Sequence, residues 1–392
     1  MTDIFIVAGV RTAIGDFGGA LKDQSPSVLI AAVVREAVRR SGVAPQEFGL
    51  GVIGQVIHTE PRDQYISRIG VIEGGLPQET PAFTLNRLCG SGLQAILTAA
   101  NAIRAGEAEV AVAGGVESMT RAPYQLPAAR WGAKMGDTTA VDPMVGALTD
   151  PFHKVHMGIT AENVAVAHEI TREQQDALAV ESHRRASRAI KEGRFKDQIL
   201  GIELKTRKGT TVFDTDEHVR NDLKLEDVSG LRTAFKKDGT VTAGNASGIN
   251  DGAAAVVVAS GEAVKRLGLT PLARIVSSGH SGVDPAYMGI GPVPASRQAL
   301  ERAGLTVADL DVIEANEAFA AQACAVAKGL GFDPEKVNPN GSGISLGHPI
   351  GATGAIITVK AIYELQRTGG RYALVTMCIG GGQGIAAVLE RV

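Results

Sequence analysis

The sequence predicts an α/β protein in which one strand–helix unit is used twice and a more polar excursion separates the two copies. Three observations carry this. Short Val/Ile/Ala runs alternate with amphipathic stretches, as buried sheet strands alternate with covering helices. The same order of glycines, helix and strand returns late in the chain. Between the copies, from about Met119 to Asn250, apolar density falls and turn residues become frequent.

In order, IFIVAGV reads as a strand, Ser27–Ser41 as a helix and GLGVIGQVI as a second strand. Gly90–Ala105 is the next helix and EVAVAGG the strand after it. The excursion holds RAPYQLPAARWGAKMGD with the only Trp, DPFHKVHMGITAENVA, a charged helix from Thr171 to Glu192, and the polar TRKGTTVFDTDEHVRND. The first grammar then returns. Helix 296–303 ends in AGL and leads through a spacer to DLDVIEANE, as helix 28–41 ends in SGV and leads to GLGVIGQ. Gly351-Ala-Thr-Gly, a helix, Gly370 and YALVTMCIGGG parallel Gly90-Ser-Gly, a helix, Gly106 and EVAVAGG. Any two βαβ units share some of this pattern, so duplication and coincidence both fit the repeat taken alone.

Composition narrows the function. Hydrophobic residues at 44% and charged residues at 21% suit a globular chain of two or three domains. A net charge of −3 and no Lys/Arg stripe leave nucleic acid without a footprint. Three cysteines argue against a disulfide framework and for a reducing compartment. MTDIFIVAGVRTAIG lacks the features of a leader, and no apolar run is of membrane-spanning length, so a cytoplasmic protein is expected. No Cys or His pair has metal-ligand spacing, no P-loop exists, and GGGQG follows a late strand instead of opening a first βαβ unit. No metal or cofactor is expected.

Three glycine-collared residues carry the chemistry. Cys89, in NRLCGSG, precedes a helical pattern. A thiol at a helix N-terminus meets free N–H groups, and its pKa can fall from about 8.5 to between roughly 3.5 and 7.5. The other reading of Cys89 is a small buried hydrophobe. His348, in SLGHPIGATG, is held by proline and glycine and suits a thiol-deprotonating base, or is a loop histidine with local partners. Cys378 ends the strand RYALVTM and opens into glycines, where α/β folds place ligands. Asn316 and Glu317 sit where a strand turns into an alanine-rich helix, either capping it or offering an amide to water or an oxyanion. Cys324, flanked by alanines, reads as core. His156, Met157 and Met288 are soft groups suited to an acyl pocket, or filler.

The ordered set NRLCGSG, AGGVESMT, HMGITAEN, TAGNASGINDGAA, GIGPVPA, EANEAFAAQ, NPNGSGISLGHPIGATGA and CIGGGQG resembles the thiolases, nearest the bacterial acetyl-CoA acetyltransferases and β-ketothiolases of polyhydroxyalkanoate-precursor type. The resemblance spans essentially the whole chain. It implies duplicated βαβαβ halves in a layered α-β-α-β-α core, at 1–118 with 250–268 and at 269–392, and a loop domain at 119–249 that binds CoA and joins subunits into a homotetramer. It implies Cys89 as the acylated nucleophile, His348 as its activator, and Cys378 as the acid–base at the α-carbon of the second acyl-CoA. Asn316, through a water, and His348 would form one oxyanion hole; the backbone N–H groups of Cys89 and Gly380 would form the other. Arg220, Ala243 and Ser247 would contact CoA. Leu148, His156, Phe235 and Phe319 would line the pantetheine tunnel, and Met157 and Met288 would narrow the acyl pocket. The implied reaction is a ping-pong Claisen condensation of acetyl-CoA with a short acyl-CoA, reversible as thiolysis. CoA thioesters enter as substrates. Two departures limit the transfer: His183 stands where the short-chain pattern has Gln, and NPNGSGISLGHP replaces NVNGGAIAIGHP. The adenine contact and acyl-chain selectivity are therefore not carried over. Carrier-protein condensing enzymes lack the second cysteine, so Cys378 favours a thiolase over them. An inactive thiolase-like scaffold would have lost one of the three residues. A cysteine hydrolase would cleave thioesters without carbon–carbon chemistry.

Overall fold

The computed structural model describes residues 2–207 and 209–392. Strands β1 (Ile4–Thr12), β2 (Phe48–Gly54), β3 (Ala82–Leu85), β4 (Val110–Ser118) and β5 (Asn250–Ser260) belong to the first half. The second half holds β6 (Ala273–Gly282), β7 (Val312–Ala315), β8 (Tyr372–Ile379) and β9 (Gln383–Arg391). Hydrogen bonding orders them β7-β8-β9-β6-β1-β5-β4-β2-β3 in one 11-stranded sheet, with short strands at Gly15–Asp16 and Ile199–Leu200 alongside. The halves meet where β1 and β6 run antiparallel for two pairs, Phe5↔Arg274 and Ile6↔Ala273.

Around that seam the pairing repeats. β1–β5 and β6–β9 are antiparallel, β5–β4 and β9–β8 antiparallel, and β4–β2 and β8–β7 parallel. Even the register shifts coincide, between Ile6 and Ala8 in β1 and between Ile275 and Ser277 in β6. A shared bulge at matching positions is not a property of βαβ units in general. Duplication is therefore the correct reading of the repeat.

Helices complete five layers. α1 (Pro26–Ser41) covers the outer face of the first half, burying Leu29, Ile30, Val33 and Val34 against Val10, Val112 and Val257. α5 (Pro292–Ala303) does the same for the second half with Ala295, Ala299 and Leu300. It begins before the expected 296 because Pro292 and Pro294 fit a first turn, where an N–H is not required. Between the inner faces lie α2 (Ser91–Arg104) and α7 (Ile350–Thr368), in a core shared by Val52, Val256, Ile385 and Leu389. α7 is buried on nearly every side, Thr353, Thr358, Lys360 and Glu364 included, where α1 also presents an exposed charged face. α2 and α7 cross in backbone contact: a Cβ on Gly92 would lie 2.6 Å from the Ala355 nitrogen, and one on Gly354 2.3 Å from the Leu93 nitrogen.

The excursion is more ordered than its composition suggests. α3 (Met157–Ala167) and α4 (Arg172–Lys191) pack on α6 (Ala320–Leu330). A buried ion pair, Arg11 with Asp216 at 2.7 Å, ties the polar stretch to the end of β1. No helix among the described residues is long and apolar enough to cross a membrane.

Candidate active site

The sheet halves and the central helices place the glycine-collared turns together. Cys89 lies just before α2, after Leu88 in the left-handed region (φ 46°). Asn86 Oδ1 accepts the Leu88 N–H at 2.8 Å, and Ser91 Oγ accepts the Arg87 N–H at 2.8 Å, which pins this unfavourable backbone. His348 lies just before α7, after Gly347 (φ 108°), and Asn250 Oδ1 accepts its backbone N–H at 2.9 Å.

The imidazole has a defined tautomer. Thr353 Oγ1 donates its one hydrogen to the Pro349 carbonyl at 2.9 Å, so at 2.7 Å it must accept from His348 Nδ1–H. Nε2 is left with its lone pair, 3.4 Å from Asn316 Nδ2. Burial lowers the His348 pKa to about 4, so the ring is a neutral acceptor at physiological pH. Asn316 Oδ1 is buried without a hydrogen-bond partner among the described residues. Neither Asn316 nor Glu317 caps α6, whose N-cap position is Phe319 and which has no side-chain cap. Glu317 instead accepts from Ser182 Oγ at 2.6 Å and Asn338 Nδ2 at 2.8 Å. Asn338 also bonds the N–H and carbonyl of Ala315, holding both sides of Asn316.

The thiols correct one expectation. Position at a helix start does not acidify Cys89. Burial pushes its pKa up to about 11, the charge of Glu117 adds to the rise, and backbone hydrogen bonds from Gly380 and from Cys89 itself only partly offset it. Cys378 is raised further, first by burial and then by the charge of Cys89; the two cysteine-bearing turns touch, with Ile379 against Gly90 and Gly380 against Leu88. Both cysteines rest as thiols, so a base is needed at the moment of attack.

The remaining candidates group around this centre. Met157, Met288, Phe319 and Cys378 share one apolar cluster, and Met157 lies against Gly380. Leu148, Ile57 and Ile350 pack with Cys89 in another. His156 stacks on Phe235 with centroids 4.6 Å apart, and Phe235 meets Phe319 edge-on at 6.2 Å. Ser247 N–H donates to the Ala318 carbonyl at 3.0 Å. Ala243 and Arg220 are exposed, and His183 Nδ1 accepts the Arg220 N–H at 3.0 Å. Cys324, expected in the core, is only partly buried. It stands on the wall of an apolar cavity of about 430 Å³ that contains none of Cys89, His348 and Cys378.

Residues the sequence reading passed over are Thr353, Asn250, Ser182, Asn338 and Glu117. An acid ending the apolar run VAVAGGVE was a usable signal for Glu117; Asn250, Ser182 and Asn338 give none because their partners are distant in sequence, and Thr353, five residues from His348, looks like an ordinary helix threonine.

Comparison with known proteins shows the family. Residues 4–262 match the thiolase N-terminal domain and residues 269–391 the thiolase C-terminal domain. The chain is 65% identical to the β-ketothiolase BktB of Cupriavidus necator over 391 residues, covering 100% of this chain and 99% of that one. It is 51% identical to an acetyl-CoA acetyltransferase of the same organism, covering 100% of each. The crystal structure of the Bacillus anthracis acetyl-CoA acetyltransferase superposes with a TM-score of 0.97 at 48% identity, covering 100% of this chain and 99% of that one. Human mitochondrial 3-ketoacyl-CoA thiolase in complex with CoA gives 0.97 at 45%, covering 100% and 98%. Matches of this extent, running through both halves and the excursion between them, make the chain a member of the thiolase family.

Proposed function

We infer that the protein is an acetyl-CoA C-acetyltransferase of β-ketothiolase type, acting on acetyl-CoA and short 3-ketoacyl-CoA thioesters. The observation that carries this reading is that Cys378, buried in one half, and Cys89, half-buried in the other, lie where Ile379 packs on Gly90 and Gly380 on Leu88, beside a neutral imidazole whose Nε2 keeps its lone pair.

In thiolysis, Cys89 Sγ attacks the 3-keto carbon while its proton passes to His348 Nε2. The oxyanion is stabilised by the backbone N–H groups of Cys89 and Gly380, each such donor being worth about 2.7–4 kcal/mol of barrier. The C2–C3 bond then breaks, leaving the shortened acyl group on Cys89 (acetyl when the substrate is acetoacetyl-CoA) and the enolate of acetyl-CoA. Asn316, through a water, and His348 stabilise that enolate, and Cys378 gives its proton to the α-carbon. CoA thiol attacks the acyl-cysteine, releasing the second thioester and returning the thiol. Condensation is the same path reversed. Because both thiols rest protonated, proton transfer accompanies attack instead of preceding it.

The 119–249 segment, between halves at 1–118 with 250–268 and at 269–392, is proposed to hold CoA. Arg220, Ala243 and Ser247 would contact CoA, and Leu148, His156, Phe235 and Phe319 would line the pantetheine tunnel. Met157 and Met288 would limit the acyl chain. The same segment is proposed to assemble a homotetramer, supported by the exposure of Tyr124, Leu126, Trp131 (81%) and Met135 (97%) on one arm. The reading extends to a cytoplasmic location, supported by three free cysteines.

The test is incubation with acetoacetyl-CoA and CoA while enolate absorbance is followed. Thiolysis is expected, with Cys89→Ser essentially inactive and Cys378→Ser acylated but unable to complete the carbon–carbon step. Hydrolysis without CoA dependence contradicts the assignment.

A further inference from the structure

Glu117, the penultimate residue of β4, is fully buried, where a carboxylate is costly unless strongly hydrogen-bonded. It accepts three backbone N–H groups from two directions. Val56 at 3.1 Å and Ile57 at 3.0 Å belong to the segment after β2 that packs on Cys89. Gly351, at 2.9 Å, lies in the first turn of α7, three residues after His348. The residue before that turn is Pro349, whose side chain cannot cap α7, so Glu117 supplies the cap from another strand. Gly351 leaves room for it: a Cβ there would lie 2.6 Å from Glu117 Oε2.

The duplication provides an internal control. Val110↔Ala259 and Glu117↔Gly252 in β4–β5 correspond to Tyr372↔Glu390 and Ile379↔Gln383 in β8–β9. The counterpart of Glu117 is therefore Ile379, which fills the space against Gly90 at the start of α2. Packing at this position is met by an aliphatic side chain in one half and by a buried acid in the other. We propose that Glu117 is a positioning residue for the thiolase reaction: its carboxylate fastens the turn carrying His348 to the segment beside Cys89. The inference rests on the proposed thiolase reading. The carboxylate also opposes negative charge on Cys89, and the other acid it faces is Asp63. Burial raises the pKa of Glu117 itself to about 8.

Glu117→Gln keeps the size and one acceptor but removes the charge and the second acceptor. Two readouts separate positioning from mere support of the fold. Steady-state thiolysis of acetoacetyl-CoA is expected to lose about 10–100-fold in kcat, the order that small misplacement of a catalytic group costs, with KM held within about twofold. Alkylation of Cys89 by iodoacetamide without substrate, mapped by mass spectrometry at pH 8, is expected to speed up about threefold as the opposing charge is removed. Unchanged kcat overturns the proposal. A fall in kcat with unchanged or slower alkylation also overturns it, as loss of structure alone. If the variant does not fold, Gly351→Ala, which displaces the same carboxylate but keeps its charge, must lower kcat about 10–100-fold with KM held within about twofold, and unchanged kcat in it overturns the proposal. The wild type separates the two levels: no thiolysis by it rejects the thiolase reading, whereas normal thiolysis with an indifferent variant rejects only the role of Glu117.

Discussion

The turn before α2 and the turn before α7 are the same architectural element made twice, yet they are held by different physics. Each follows a residue of positive φ and feeds a central helix, and the two helices touch through glycines. Around Cys89 the side-chain packing is largely apolar: it lies against a cluster of Ile57, Met119 and Ile350, and Ile379 abuts Gly90. Around His348 it is polar, with Thr353, Asn250 and Asn316 on the residue itself. Behind it, Lys360 Nζ donates to Glu314 at 2.7 Å and to the Gly341 carbonyl at 2.6 Å, both side chains fully buried. An apolar surround keeps a thiol protonated; a hydrogen-bonded one fixes which nitrogen of an imidazole is free. Symmetry supplied the position and divergence supplied the two halves of a proton transfer.

Breaking the comparison at its ends gives the largest effects. Cys89→Ala removes the nucleophile and should lower kcat for thiolysis by about 10⁵-fold or more, whereas His348→Ala should cost about 10²–10⁴-fold, measured at saturating substrate. The polar support can be struck without touching the site. Lys360→Met leaves Glu314 buried without its cation and should destabilise the fold by about 3–5 kcal/mol in urea unfolding. On the apolar side, Ile96→Val in the shared core should cost only about 0.5–1.5 kcal/mol by the same measurement. Thr353→Val removes the acceptor for Nδ1–H, frees the tautomer, and should reduce kcat about tenfold with little change in KM.

The pH dependence is confined to an acidic window. The folded-state pKa of His348, about 4, lies below its ordinary 6.5. The unfolded chain therefore binds this proton first as pH falls. Stability from this residue is intact above 6.5, declines from 6.5 to about 4 and is constant below. Unfolding titrations of wild type against His348→Gln should diverge only in that window. The acid limb of kcat/KM should likewise fall nearer pH 4 than 6.5.

Much of the fold was legible because strands and helices announce themselves locally. The repeat of Gly-flanked helices, the Cys89 turn ahead of α2 and the strand ending at Cys378 all lie where the sequence pattern puts them. What escaped it depends on contacts across the chain. The protonation state of Cys89 was misjudged because a helix start is visible in sequence and burial by Leu148 and Ile350 is not. Thr353 looked like any helix threonine until Pro349 took its hydrogen. Asn250 is more than ninety positions from the N–H it accepts. Ser182 and Asn338 reach Glu317 from a helix of the excursion and a loop of the second half.

The central claim is that two cysteines from opposite halves share one thioester carbon's chemistry in different roles. Mixing the protein with acetyl-CoA and locating the acetyl group by peptide mass spectrometry tests it directly. The account predicts acetyl on Cys89 alone, in the wild type and equally in Cys378→Ser, with acetoacetyl-CoA formed only by the wild type. Acetyl found on Cys378 or Cys324, or acetoacetyl-CoA formed at the wild-type rate by Cys378→Ser, contradicts it.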